Sequence, residues 1–360
     1  MSDHHDQRAN ADHAHTDDFD MAAVLESVFD GAELSTDLAR EVMGRLMDGK
    51  LSQMQAAALL AALRTRGETV DEIVGFAQAM RERSIAVPAA VAGPLIDTCG
   101  TGGTGLKTIN ISTTAMFIAA AAGVRLAKHG NVGVTRSSGS ADVLQASGVR
   151  LDVSPAELAR AIDTLGIAFV FAKNHHPAMR FVAPIRADLR ARTIFNNLGP
   201  LTNPAGANRQ LMGVFSPDLT EQLARVLHGL GIERALVVHG DGIDDLTVTG
   251  VTKVTEVDAA GGMRTYHVTP EDVGLERHDL ADLLGGDATT NAAHLRAVLE
   301  NRGNPAQRDI ALFNAGAAVY LAGLADGIAA GVELARAALE SGAAKEKLDA
   351  YREFTRSAGG

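Results

Sequence analysis

An apolar segment, Leu95–Thr98, runs straight into CGTGGTG, which places Gly100, Gly102, Gly103 and Gly105 within six residues. Glycine at that density after a strand carries a high conformational-entropy cost unless the backbone must approach something closely. Successive N–H groups in such a loop, or at the start of the helix that follows, form a cradle for anions. Thr101, Thr104, Thr108, Ser112 and Thr113 add hydroxyl donors nearby. The stretch from Asp97 to Gly148 therefore reads as the phosphate-binding floor of a site, and it requires a strand–loop–helix unit.

The texture on either side defines the organisation. From Asp20 to about Val87 the signals are helical, with apolar residues at Leu38, Val42 and Leu46 and capping boxes at Ser52/Gln55 and Thr69/Glu72. Gly31, Gly49 and Gly67 divide this part into three to four short helices, too few to enclose a large core alone. After the Pro88–Pro94 linker, strands and helices alternate. Strands are predicted at LIDT, VRLAK, IAFVFA and ALVVHG, with helices at 113–122, 141–146, 155–165 and 221–230 between them. That alternation predicts a mostly parallel sheet. Residues 176–190 read as one helix despite Pro184, and LGPLTNP as non-helical. TKVTEV and MRTYHV read as an antiparallel pair, and the chain beyond Asp279 as helices.

Two familiar phosphate sites are excluded. Gly100, Gly102 and Gly105 fit GxGxxG, but the next strand ends at Lys128 and His129 rather than at an acid for ribose hydroxyls. A P-loop fails because Leu106 stands where the lysine belongs. Lys128, His129 and Asn131 instead place a cation, an imidazole and an amide at a second strand end, the side on which α/β sheets bind ligands. Ser140 opens the next helix, where capping and phosphate binding are compatible. Asp244 and Asp245 follow ALVVHG, and two carboxylates opposite a phosphate floor suit Mg²⁺; Asp241 is a spare candidate. Arg186 offers a planar fork for a carboxylate.

Composition narrows the partners. With 33 basic and 44 acidic residues the net charge is −11, which disfavours nucleic acid and anionic membranes and requires any anion to be captured by a focused site. The single cysteine, Cys99, excludes an internal disulfide and a multi-cysteine zinc cluster and predicts a reducing, cytoplasmic setting. No run reads as a signal peptide or a membrane span. Residues 1–19 read as a disordered polar tail, in which His4, His5, His13 and His15 are solvated rather than a metal site.

The blocks GTGG, NIST, KHGN, GSADVL, HPAM, RTIFNNLGPLTNP and VVHGDGIDD, in that order, resemble the anthranilate phosphoribosyltransferase family from about Asp20 to the C-terminal helices. The resemblance implies an α/β fold: a small all-helical N-terminal domain (20–87, also receiving about 176–204) and a large domain (88–360) with a central, mostly parallel sheet flanked by helices. It implies a homodimer through the small domain. The implied reaction joins the amine of anthranilate to C1 of 5-phosphoribosyl 1-diphosphate, releasing diphosphate with Mg²⁺ assistance and no strong general base. By position, the donor would meet Gly100, Gly102, Gly103, Thr104, Thr108, Asn110, Ser112, Thr113, Lys128 and Ser140. Anthranilate would meet Gly100, His129, Asn131, His176, Arg186, Gly199 and Pro200, and Mg²⁺ would meet Ser112, Asp244 and Asp245.

Four departures stand out. Thr104 replaces the family's usual Asp, Val132 its basic residue, and Arg136 stands where a small hydroxyl is common, a placement that would restore a positive charge. The family's Asp-Glu metal pair is Asp244-Asp245 here. Alternatives are a related transferase or pyrimidine-nucleoside phosphorylase with another acceptor, or a catalytically silent binding relative.

Overall fold

The computed structural model describes residues 19–133 and 138–358. The tail histidines and Arg136 lie outside the described residues.

Four helices come first, α1 (Met21–Phe29), α2 (Thr36–Met47), α3 (Gln53–Arg66) and α4 (Val70–Glu82). Each begins on an oxygen-bearing cap, Asp20, Ser35, Ser52 or Thr69, whose side chain accepts from the first-turn N–H groups; the last two close full capping boxes. Val42 and Leu46, Leu59 and Leu63, and Ile73 and Phe76 turn inward at helical spacing. The same apolar cluster takes in Val182, Ile185, Ile194, Phe195, Leu198 and Leu201 from the distant 176–204 segment.

The rest is built on β1 (Ile96–Asp97), α5 (Ile111–Ala121), β2 (Leu126–Gly130), α6 (Ser140–Ala146), α7 (Pro155–Leu165), β3 (Ile167–Phe171), α8 (Ala172–His175), α9 (Ala183–Leu189), α10 (Phe195–Leu198), β4 (Arg209–Gly213), α11 (Leu219–Gly229), β5 (Arg234–Gly240), β6 (Thr252–Asp258) and β7 (Met263–Val268). Helices α12 (Ala288–Leu299), α13 (Pro305–Leu321), α14 (Ile328–Glu340) and α15 (Ala343–Ser357) complete the chain. One seven-stranded sheet has the order β3-β2-β1-β4-β5-β6-β7, parallel through β5 and antiparallel beyond. Alternation along β4 and β5 divides the core between two faces. Leu211, Leu236 and Val238 join the cluster under α5 and α13, whereas Met212, Ala235 and Val237 join the one holding α11 and the N-terminal helices. From β1 the chain winds outward to β2 and β3, then returns to the other side of β1 with β4. The β1–β4 boundary is thus the switch point, where loops diverge and leave a crevice.

The structure differs from the sequence expectations in four places. Residues 176–190 are not one helix but a 3-10 turn, Pro177–Phe181, followed by α9. Pro184 starts the second piece, where its missing N–H leaves no hydrogen bond unmade. LGPLTNP is partly helical: Leu198 closes α10 and Gly199–Leu201 forms a 3-10 turn, with Pro200 again near its start. Strand β2 extends two residues beyond VRLAK, so Lys128, His129 and Gly130 belong to the strand itself. Strand β4, RQLMG, was not expected, since it lacks the β-branched and aromatic residues that mark strands and is instead held by neighbours on both edges.

Candidate active site

A cleft of about 740 Å³ lies over the C-terminal ends of the parallel strands, between the sheet and the segment 172–202. Its floor is Cys99–Gly103. Gly102 and Gly103 have φ of +64° and +85°, which a side chain would strain, and Gly100 lies so close to β4 that an added Cβ would sit 2.9 Å from the Gly213 carbonyl oxygen. Thr101 ties the loop to the same strand end: its N–H donates to the Gly213 oxygen (2.8 Å) and its Oγ1 accepts from the Phe215 N–H (3.1 Å). Asn110, Ser112 and Thr113 line the cleft at the start of α5, whose free N–H groups and dipole favour an anion.

Because successive strand residues face opposite ways, Lys128 and His129 serve different sides of the site. Lys128, only 3% exposed, donates from Nζ to the Thr98 carbonyl oxygen (2.6 Å) and to Ser112 Oγ (3.1 Å), on the floor side. His129 turns toward the 172–202 segment. Its Nδ1 lies 3.0 Å from the Gly199 carbonyl oxygen and its Nε2 3.3 Å from His176 Nε2. A carbonyl oxygen can only accept, so His129 Nδ1 carries the proton and its Nε2 is the acceptor for the His176 Nε2–H. His176 Nδ1 is buried and makes no hydrogen bond among the described residues. Burial and the neighbouring His176 pull the pKa of His129 down to about 3, and burial with His175 pulls that of His176 down to about 4. Both rings are neutral at neutral pH.

Beneath them Asp97, wholly buried at the end of β1, accepts the His129 backbone N–H (3.1 Å). Burial pushes its pKa up to about 6, against the opposing pull of the Lys128 ammonium. Burial likewise pushes the thiol of Cys99, which lines the cleft, up to about 12, so it stays protonated at neutral pH. Across the cleft, Arg186 sits with its guanidinium 5.7 Å from the Phe195 ring centre, and burial lowers its pKa without threatening its charge. Met80 from α4 and Met179 give this half of the cleft apolar surface, and Gly199 and Pro200 close it.

The carboxylates arrive from β5. After Gly240 the turn reverses through mutual hydrogen bonds between Gly240 and Ile243 (2.9 Å each), and Asn314 clamps Leu246 by both its N–H (3.1 Å) and its carbonyl (2.9 Å). Asp244 and Asp245 so held line the cleft facing the glycine loop. Gly213 makes this approach possible, since an added Cβ would lie 1.6 Å from the Asp244 carbonyl oxygen. Among the described residues no group of three or more His, Cys, Asp or Glu could hold a metal by itself. Two carboxylates beside a phosphate cradle fit an ion that completes its shell with substrate phosphates and water, as Mg²⁺ does.

Most of the expected site residues meet in this one cleft: Gly100, Gly102, Gly103, Asn110, Ser112, Thr113, Lys128, His129, Asn131, Ser140, His176, Arg186, Gly199, Pro200, Asp244 and Asp245. Thr104, Thr108 and Asp241 are not on its wall. Thr108 is buried beside Leu284, with Oγ1 lacking a hydrogen-bond partner among the described residues. Asn110 lines the cleft, but its Oδ1 accepts from Asn291 (2.8 Å) and Ser138 (3.3 Å), so its carbonyl side is engaged by the protein. Asp97, Met80, Met179 and Phe195 were not among the site residues expected from the sequence, although Met179 and Phe195 fall within the HPAM and RTIFNNLGPLTNP blocks. Asp97 reads as part of the strand LIDT, and the other three belong to helical periodicity or to a loop.

The fold and the cleft define a glycosyl transferase: residues 92–345 match the glycosyl transferase family a/b domain, and residues 22–84 match the helical bundle domain of the same family. The chain is 53% identical over 331 residues to anthranilate phosphoribosyltransferase of Rubrobacter xylanophilus, covering 92% of this chain and 96% of that protein. It is 52% identical over 332 residues to that of Moorella thermoacetica, covering 92% and 97%. The crystal structure of the Thermus thermophilus enzyme superposes with a TM-score of 0.88 at 44% identity, covering 92% of this chain and 99% of that one. A Saccharomyces cerevisiae anthranilate phosphoribosyltransferase in complex with PRPP and Mg, at 24% identity, shares the fold with a TM-score of 0.86 over 94% and 98% of the two chains. This chain belongs to the anthranilate phosphoribosyltransferase family.

Proposed function

We propose that the protein transfers the phosphoribosyl group of 5-phosphoribosyl 1-diphosphate to the amine of anthranilate, in L-tryptophan biosynthesis. The observation that carries this reading is the two-sided cleft. A glycine loop, helix N-terminus, buried lysine and carboxylate pair face one side, and two neutral imidazoles, an arginine fork and apolar surface face the other. In the transfer the C1–oxygen bond breaks with its electron pair leaving on diphosphate, the amine nitrogen bonds to C1, and the nitrogen loses a proton. An aromatic amine is a free base near neutral pH, so positioning and charge stabilisation supply most of the rate.

Gly100, Gly102 and Gly103 would present backbone donors to the diphosphate, with Ser112, Thr113 and Ser140 beside it. A phosphate oxygen near Lys128 would draw the ammonium from Ser112 Oγ and free that oxygen. Asp244, Asp245 and Ser112 would hold Mg²⁺, which when bound neutralises charge building on the leaving diphosphate. Arg186 would take the acceptor's carboxylate in two parallel bonds. His129, Asn131, His176, Gly199 and Pro200 would frame its ring and amine. The support for Thr104 and Thr108 is weaker, since neither reaches the cleft wall. We assign the small unit to 20–87 with about 176–204 and the large one to 88–360, and the setting to the cytoplasm. Two copies would pair through the helical unit, where Phe29 and Met54 (81% exposed) remain uncovered.

Acceptor choice tests the reading. With the donor and Mg²⁺, anthranilate should be consumed, whereas thymidine with inorganic phosphate should yield no free base. Phosphorolysis of thymidine without consumption of anthranilate would select the nucleoside phosphorylase alternative.

A further inference from the structure

The segment joining α9 to α10 touches both halves of the cleft within ten residues. Arg186 and Phe195 line the acceptor half, and between them the Arg192 side chain crosses to the donor loop. Arg192 Nη2 donates to the Gly103 carbonyl oxygen, and its guanidinium stacks 4.2 Å from the ring centre of Phe215. The Phe215 N–H is itself bonded to Thr101 Oγ1 (3.1 Å), so ring, guanidinium and glycine loop form one closed contact. Just before Arg192, Arg190 caps α9 in the left-handed region at φ +47°, its N–H donating to the Arg186 carbonyl oxygen (3.2 Å). Among the described residues no carboxylate pairs with Arg192, and the adjacent Thr104 carries no charge.

We propose that Arg192 is a positioning residue that couples the two substrates, a role that rests on the transferase reading above. A trans peptide holds its C=O and N–H in opposite directions, so an anchored Gly103 carbonyl fixes the orientation of the 103–104 peptide in the loop that cradles the diphosphate. The same anchor fixes the path of the segment that carries Arg186. Binding at the donor loop therefore sets the acceptor half, through a guanidinium that touches neither substrate.

The test compares wild type with Arg192→Ala, Arg192→Lys and Phe215→Leu, each checked for an unaltered melting temperature. Losing a charge-assisted hydrogen bond should raise the donor KM about tenfold in Arg192→Ala, with kcat changed much less. The KM for anthranilate, which in wild type should fall as donor concentration rises, should become independent of it. Arg192→Lys should recover part of the donor KM, and Phe215→Leu should shift it in the same direction as Arg192→Ala by a smaller factor. A donor KM within twofold of wild type in Arg192→Ala, or an anthranilate KM that still depends on donor as in wild type, would overturn the proposal. Thermal stabilisation by inorganic diphosphate with Mg²⁺ provides a readout independent of turnover: it should be strong in wild type and reduced in Arg192→Ala, and equal stabilisation would refute the anchoring. An inactive wild type that still shows this difference would count against the transferase reading while leaving the anchor standing.

Discussion

Gly213→Ala tests how closely the acid turn must approach the sheet. The new Cβ would lie 1.6 Å from the Asp244 carbonyl oxygen and 2.4 Å from its carbon, both rigid backbone atoms. To reach even the 3.0 Å below which such contacts essentially never occur, the turn must retreat by about 1.4 Å. Asn314 opposes this, because it holds Leu246 by two hydrogen bonds just beyond the carboxylates. Misplacement of about 1 Å in a catalytic constellation can cost about a hundredfold in rate, so kcat/KM should drop by that order. The loss should be concentrated in the metal requirement, with half-maximal activity moving to higher Mg²⁺. The assay is initial rate against Mg²⁺ concentration, followed by anthranilate fluorescence, on protein whose circular dichroism matches wild type. A folded variant with the wild-type Mg²⁺ profile would refute the placement of Asp244 and Asp245 as the metal-facing pair.

Arg186→Ala should raise the KM for anthranilate by at least tenfold and leave the donor KM within about twofold, since a lost bidentate carboxylate contact is worth roughly 1.5–3 kcal/mol; equal effects on both substrates would remove the assigned role. Acid should destabilise the fold through the two buried imidazoles. Their folded pKa values lie near 3 and 4, below the ordinary 6.5, so between about 6.5 and 4 the unfolded chain takes up protons that the folded one refuses, and stability falls as pH drops through that window. Each imidazole contributes about 1.4 kcal/mol per pH unit there, while Asp97, raised to about 6, takes up its proton first in the folded state and offsets one of them between about 6 and 4. His129→Gln should flatten the decline of melting temperature from pH 7 to 5, and an unchanged slope would refute its being held neutral. Ser154→Ala breaks the capping box with Glu157 at the start of α7 and should cost about 1 kcal/mol in chemical denaturation without affecting turnover.

What the sequence carried and what it did not follow from range. Caps and glycine stops are local, and Ser52, Thr69 and Ser154 start helices where their spacing says they should. The glycine loop, Lys128–Asn131 and the Asp244–Asp245 turn were legible because each concentrates chemistry at a strand end. Strand β4 was not, because RQLMG becomes a strand only through pairing with β1 and β5. Nor could the opposite facing of Lys128 and His129 be read, since it depends on the strand running two residues further than its apolar pattern. Asp97 and Arg192 act by reaching backbone groups 32 and 89 residues away, and no spacing rule connects such pairs. Among the described residues no helix is long and apolar enough to cross a membrane.

The central claim is that the two halves of one cleft bring a phosphoribosyl donor and anthranilate together. Mixing the protein with both substrates and Mg²⁺ should give loss of anthranilate fluorescence matched mole for mole by diphosphate release, and neither signal should appear when the donor is omitted. Undiminished fluorescence at saturating substrates, or diphosphate release that continues without anthranilate at the same rate, would contradict it.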